Sequence, residues 1–521
     1  MKITVKSNGF KLLRASVAAL ALATVFPAHA TDPAEKKGAE TVELVPAKES
    51  ETGKMHRITI NGKTLNYRAS AGTLIIRDDA GNPRASMFYV AYTVEGQGKN
   101  RPLTFLNNGG PGSASLWLNI GGFGPKRAPT ATPKSTPPAP YVSQDNPFSI
   151  LDKSDLIFLD AIGTGYSRMI GDAPVDEFWG TDEDIDSFAR GITRYISKYD
   201  RWNSPRFLFG ESYGTTRSAG LVYKLQNQGM DFNGVIMLST LLNSGTGFQG
   251  SDIGSITSLP TYAASAWFHK PAIQAQGSLA EHLQKARTFA MGPYAAALLK
   301  GDTVSPQENA QVMQQMSELT GLPIPFLTKK KMRVGMEDFR EQLRLDEGIM
   351  IGRFDTRFTA PASYAAGNGN YDPATNDAAT AGVNSAHLSI FRQHLVRDIG
   401  FESDLHYRPL YNGPISAKWN NSHKAPGIDR PLPFANTGLD LAGAMQRNPN
   451  LKILMLAGIY DLSTPFAEAE YDISQLYLTP NLRQNIQFIQ YESGHMTYVD
   501  DTASAKMKAD LDRFYDSATH P

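Results

Sequence analysis

The sequence predicts an α/β fold: a mostly parallel central sheet with helices on both faces, interrupted by a large, mainly helical insertion. Three observations lead there. Short apolar runs at Asp155–Asp160, Phe207–Phe209 and Val235–Leu238 alternate with segments of helical period at 181–199 and 219–226. That alternation is the mark of parallel strands joined by covering helices. From about Asn243 to Arg430 it stops, and helical segments such as Ser278–Leu299 and Pro306–Leu319 take its place. It then returns with strands at Leu451–Ala457 and Asn485–Tyr491. The expected organisation is an α/β domain made of residues 55–243 and 431–521, with residues 244–430 as a cap. An insertion at the C-terminal ends of sheet strands lands where ligands bind in such folds.

The N-terminus reads as an export signal. Lys2, Lys6, Lys11 and Arg14 precede an apolar run from Ala15 to Phe26, followed by the small-x-small site Ala28-His29-Ala30. Residues 1–30 are therefore expected to be a signal peptide cleaved after Ala30. The apolar run is too short to span a bilayer, and no later segment approaches the required length. The absence of cysteine excludes disulfides, thiolate metal sites and a lipid-anchoring cysteine. Exported, large and disulfide-free, the chain suits a bacterial periplasmic or secreted protein. Its 51 basic and 51 acidic residues cancel, which argues against nucleic acid or an anionic membrane surface as a partner.

Taken in order, residues 31–54 are charged and poor in aromatics, and are expected to form a loose arm. Arg57–Ile60, Asn61-Gly62 and Leu65–Tyr67 make a hairpin signal, because Asn-Gly supplies the positive φ angles of a tight turn. Thr73–Ile76 and Ser86–Val94, flanking Asp78–Pro83, make a second, so four short strands are expected to open the sheet. Pro102–Leu106 is a further strand. Ala128–Pro140, rich in proline and threonine, is a surface loop. Thr181 and Asp184 have the spacing of a capping box, followed by an apolar face of Ile185, Phe188, Ala189, Ile192, Tyr195, Ile196 and Tyr199.

The chemistry centres on Gly210-Glu211-Ser212-Tyr213-Gly214. A strand that passes through this pentapeptide into a helix must bend sharply at Ser212, and glycine on either side removes the Cβ atoms that would collide. The hydroxyl is then raised above the sheet edge at a helix N-terminus, where the positive dipole end favours developing negative charge. The run Asn107–Leu116, with Gly109, Gly110 and Gly112, can be an ordinary turn, a phosphate cradle or an oxyanion loop. No Gly-Lys-Ser/Thr follows, so the phosphate reading lacks its lysine. Late in the chain, Asp461 and His495 each follow a strand. The order Ser212, Asp461, His495 is that of an α/β-hydrolase triad. No metal and no cofactor is expected. The loop Gly367–Pro373 lacks the repeats and the bidentate glutamate of a calcium site. His387 and His394 read as surface or packing residues rather than ligands.

Four blocks together resemble the serine carboxypeptidases: Asn108–Gly112 with Gly124-Pro125 beyond it, Gly163-Thr164-Gly165-Tyr166-Ser167, Gly210–Gly214, and the Asp461 and Gly494-His495 loops. The resemblance implies Ser212 as nucleophile, His495 as general base and acid, Asp461 as its orienter, and the N–H groups of Gly110 and Tyr213 as an oxyanion hole. It also implies that Asn108, Gly109 and Glu211 recognise a substrate's terminal carboxylate. The sequence departs from the family at Leu106, where a tryptophan is usual, at Gly122, where a second glutamate pairs with the one before the serine, and at Ser113, where a disulfide cysteine stands. With Glu211 lacking its partner, an arginine of the insertion, Arg353 or Arg357, is expected to assist in holding a carboxylate, because guanidinium matches it bidentately.

The expected activity is that of a serine carboxypeptidase, removing C-terminal residues from a peptide substrate with a free C-terminus through an acyl-enzyme. Two other readings stand beside it. One is an esterase or acyltransferase with the same triad. The other is a non-catalytic binding protein of the same fold, although such proteins usually lose members of the triad.

Overall fold

The computed structural model describes residues 45–248, 250–362 and 377–519. The expected signal peptide, residues 31–44 of the expected arm and the loop Gly367–Pro373 lie outside the described residues. Among those residues no helix is long and apolar enough to cross a membrane. Nor, among them, do three or more His, Asp or Glu side chains gather where a metal could be held.

Among the described residues, nine strands lie on one hydrogen-bonded path: β1 (Glu51–Ile60), β2 (Lys63–Arg77), β3 (Pro83–Val94), β4 (Leu103–Asn107), β5 (Asp155–Leu159), β6 (Arg206–Glu211), β7 (Gly234–Leu238), β8 (Lys452–Gly458) and β9 (Ile486–Tyr491). Their spatial order is β1-β2-β3-β5-β4-β6-β7-β8-β9. The first three strands and β3/β5 pair antiparallel, and every pair from β5 onward is parallel. Successive residues of the inner strands face opposite sides. Phe207 and Phe209 join one core with Val90, Tyr92 and Leu106, while Leu208 joins another with Tyr89, Leu103 and Phe105. Burial on both faces explains why these strands read as continuous apolar runs.

Asn61 and Gly62 adopt φ values of 50° and 75° and turn β1 into β2. Three strands, not four, open the sheet, because β2 runs unbroken through the small residues Ala69–Gly72. These lie opposite Tyr92, Ala91, Val90 and Tyr89 of β3, and the large partners fill the space. β1 begins at Glu51, inside the segment expected to be an arm.

Helix α1 (Thr181–Lys198) buries the expected apolar face from Ile185 to Ile196. Thr181 and Asp184 form no capping box. Gly180 precedes the helix without a side-chain cap, and Asp184 turns inward to Arg217 of α2 (Tyr213–Asn227). A buried ion pair outcompetes a solvent-exposed cap for this carboxylate. Both helices cover one face of the sheet, and α3 (Asp501–Thr519) covers the other through Met507, Leu511, Phe514 and Tyr515.

The insertion leaves after β7 and returns at β8, two strands that pair with each other. Its helices Ile253–His269, Leu279–Phe289 and Pro306–Thr320 close a core of their own around Leu259, Tyr262, Phe289, Met316 and Phe339. The helix expected over Ser278–Leu299 is broken. Ser278 caps its first part in a box with Glu281, and a wide turn at Ala290–Tyr294 accommodates Pro293 before the chain resumes at Ala295. His387 and His394 are both buried, and His394 lies between Tyr92 Oη (2.9 Å) and Asp398 Oδ2 (2.7 Å). They are packing residues.

Candidate active site

The strand order reverses direction at β4 and β6, which are direct neighbours although β5 intervenes in the chain. Crevices form at the C-terminal ends of strands at such switch points. Asn108, Gly109 and Gly110 leave β4 here, and Glu211 and Ser212 leave β6 beside them. Together with His495 they line a cavity of about 250 Å³.

Ser212 takes φ 60° and ψ −131°, a conformation of order 1–3 kcal/mol above an ordinary one. The surroundings hold it there. Its N–H donates to Leu238 O (2.9 Å), and a Cβ at Gly210 would lie 2.0 Å from Gly214 O, so the strand and helix meet more closely than any other residue allows. The hydroxyl is partly exposed and opens to the cavity.

His495 is carried by the loop after β9. Its N–H donates to Phe354 O (2.6 Å), its carbonyl accepts from Ser239 Oγ (2.7 Å), and the Phe354 ring lies 5.0 Å from the imidazole. Nδ1 is 2.7 Å from Asp461 Oδ2. Asp461, fully buried after β8, also accepts from Ser463 N (2.8 Å), Thr464 N (3.1 Å) and Thr464 Oγ1 (2.6 Å). Burial pulls the His495 pKa down. The charge and hydrogen bond of Asp461, aided by the charge of Glu211, outweigh it and leave the imidazole above its ordinary value. With Nδ1 occupied by Asp461, Nε2 is the nitrogen left for the cavity. No hydrogen bond joins Ser212 to His495 among the described residues. Such contacts are commonly loose in an unliganded site.

The glycine loop is held against the elbow from below. Arg217 donates through Nη1 to Asn107 Oδ1 (2.7 Å) and Asn108 O (2.8 Å), and through Nε to Asp184 Oδ2 (2.6 Å). A Cβ at Gly109 would lie 2.5 Å from Tyr213 N, so the backbone of the loop passes directly over the first turn of α2.

Glu211 is buried and bound by two donors: Asn108 Nδ2 to Oε2 (2.6 Å), and Tyr498 Oη to Oε2 (2.9 Å) and Oε1 (3.2 Å). Burial pushes its carboxyl up to about 7, against the charge of His495 and these hydrogen bonds. Residues 62–274 match the family model described as serine carboxypeptidase. Over this segment the chain is similar to the serine carboxypeptidases. A search of curated proteins finds no match. Among solved structures, the chain is similar to Kex1(delta)p, a prohormone-processing carboxypeptidase from Saccharomyces cerevisiae. That match has 13% identity and a TM-score of 0.52, and covers 86% of this chain and 91% of that one. It shows a shared α/β-hydrolase fold. Proline iminopeptidase from Mycobacterium smegmatis aligns at 11% identity over 86% of this chain and 98% of its own, with a TM-score of 0.35.

Around this cavity, the two arginines of the insertion separate. Arg353 lines the cavity, and its Nε is buried without a hydrogen-bond partner among the described residues. Arg357 is not brought to the cavity. Its guanidinium is engaged by both oxygens of Asp355, by Asp500 Oδ2 (2.9 Å) and by Glu492 O (3.0 Å), so it does not face the cavity, contrary to the expectation that it could assist in holding a substrate carboxylate. Leu106 is wholly buried in β4, and the aromatic wall comes instead from Trp117.

Tyr498, Thr464, Phe354 and Met496 are site residues that sequence reasoning missed. Thr464 follows Asp461 by three positions, the spacing of a side-chain turn, and so carried a usable signal. Phe354 reaches the site only through tertiary contacts, and Tyr498, three positions after His495, meets Glu211 through its packing on Gly121 and Gly122.

Proposed function

We propose that this chain is a serine carboxypeptidase acting through Ser212, His495 and Asp461. The observation that carries the reading is the meeting of Ser212 and His495 on one cavity, with the His495 Nδ1 already bound to a buried Asp461. Ser212 Oγ attacks the scissile carbonyl while His495 Nε2 takes its proton. The N–H groups of Gly110 and Tyr213 receive the oxyanion, and His495 returns the proton to the leaving amine. A water, activated in the same way, releases the acyl group. Asp461 fixes the tautomer and stabilises the imidazolium.

The leaving residue carries a free carboxylate. Asn108, the Gly109 backbone and protonated Glu211 are its donors, and Arg353, with no ion-pair partner among the described residues, supplies the opposing charge. A second reading, an esterase or acyltransferase, is favoured by one observation: Glu211 would repel a carboxylate once ionised, and it stands next to the nucleophile.

The test compares an N-blocked dipeptide acid, its C-terminal amide and an aryl ester, with Ser212→Ala as the blank. Cleavage of the acid well above the amide supports the carboxypeptidase. Turnover of the ester with neither peptide cleaved transfers the site to the second reading.

A further inference from the structure

Glu211 has the geometry of a group whose proton is assigned by its neighbours. Oε2 accepts from Asn108 Nδ2 (2.6 Å) and from Tyr498 Oη (2.9 Å), while Oε1 has only the longer Tyr498 contact at 3.2 Å. The Asn108 amide cannot reverse its role, because its Oδ1 already accepts from Leu118 N (3.0 Å). The Tyr498 ring is equally constrained. It lies over Gly121 and Gly122, where added Cβ atoms would come within 3.0 and 3.1 Å of ring carbons, and Phe123 meets it edge-on at 5.9 Å. Its carbonyl accepts from Ser504 Oγ (2.8 Å). The phenol is buried, and burial and the Glu211 charge hold its pKa well above the ordinary value against the opposing hydrogen bond of Asn108.

We propose that Tyr498 is a positioning residue for substrate selection, seated on Gly121-Gly122 so that its phenol and the Asn108 amide fill Oε2 of Glu211 and leave Oε1 to carry the proton. This rests on the reading of Glu211 as a donor to a substrate carboxylate. The side of the carboxyl that meets substrate is thereby chosen by a residue that touches no substrate. The groups that face Glu211 are Asn108, Tyr498, His495 and, beyond the imidazole, Asp461, while Arg353 lines the same cavity. Of these only Tyr498 can lose its hydrogen bond to Glu211 without altering the triad or the glycine loop.

A hydrogen bond to the ionised form lowers a carboxyl pKa, so its removal raises it. In Tyr498→Phe the ring stays on its glycines and the donor is lost. The full-length chain is examined by infrared difference spectroscopy, with Glu211→Gln identifying the carboxyl band. The midpoint of that band is expected to lie near neutral pH and to rise by about one pH unit in Tyr498→Phe, as for loss of a bond to a charged group. The alkaline limb of 1/KM for the dipeptide acid should rise with it, while aryl-ester kcat stays within about twofold. Gly122→Ala, which pushes the ring off its seat, should move the midpoint the same way. An unmoved midpoint in Tyr498→Phe, or a parallel fall of ester and acid turnover, overturns the proposal. A wild-type chain that cleaves no free-acid peptide overturns the carboxypeptidase reading instead, and the band midpoint still decides whether Tyr498 governs Glu211.

Discussion

Arg217 and Asp184 form an ion pair between α2 and α1 in which neither side chain exposes more than 3% of its surface. The same guanidinium lies 4.1 Å from the Phe188 ring and donates to Asn107 and Asn108 of the glycine loop. Burial raises the Asp184 pKa in spite of the charge and hydrogen bond of Arg217. Removing one partner strands the other. Arg217→Met is therefore expected to cost about 3–5 kcal/mol in urea unfolding. Asp184→Leu combined with Arg217→Met should recover much of that loss. The double variant still lacks the donors to Asn107 and Asn108, so its catalytic rate should remain low after its stability returns.

The acidic and alkaline limbs of activity should belong to different residues. His495 must be neutral to accept the Ser212 proton, and its pKa stands above the ordinary value, so turnover of every substrate should fall as pH drops through that raised value. Glu211 must be protonated to donate to a carboxylate, so binding of a free-acid peptide should fall as pH rises through about 7. Acid peptides are thus expected to give a bell, and aryl esters only its acidic limb. The two groups interact, and each limb reports the pair. Glu211→Gln removes a charge that raises His495, so the acidic limb of ester hydrolysis should move to lower pH. Initial-rate profiles of kcat/KM for both substrates decide this.

Arg353 and Arg357, four residues apart, are expected to fail in different ways. Arg353→Ala should raise KM for a dipeptide acid by about tenfold or more and leave the amide and the ester unchanged, in keeping with loss of a charge-assisted contact. Arg357→Ala leaves Asp355 and Asp500 without their shared cation. Its effect should appear as lost stability of several kcal/mol, seen in thermal unfolding. Equal KM values for Arg353→Ala and wild type would remove Arg353 from substrate binding.

Asp461→Asn should lower kcat by roughly 10⁴-fold with KM little changed, because the amide presents an N–H where His495 Nδ1–H needs an acceptor. Thr464→Val removes one of the four hydrogen bonds that reach Asp461, the one from Thr464 Oγ1. A loss of about ten- to a hundredfold in kcat is expected there, measured on the aryl ester so that peptide recognition does not enter.

The fold and the chemical core of this chain were legible because they depend on local pattern. An apolar strand, Gly-x-Ser-x-Gly and a helix favour an elbow such as that at Ser212, and strands that precede Asp461 and His495 carry both to the C-terminal edge of a parallel sheet. Local pattern misled where a distant partner competed for the same group. Asp184 reads as a cap until Arg217 arrives from α2, and Ala69–Gly72 reads as a break until the tyrosines of β3 lie across it. Arg353 and Arg357 share one short segment and one chemistry, and sequence treats them alike. The tertiary structure alone separates them, by setting Asp355 and Asp500 around Arg357 and leaving Arg353 on the cavity. Likewise Gly122 reads as a missing carboxyl group, and only the folded chain brings Tyr498 to the space above it, since that contact spans most of the sheet's length in sequence and has no local signature. By itself the sequence determined which groups could react. Which of them are left unpaired in the cavity was decided by packing, because pairing depends on what approaches through space.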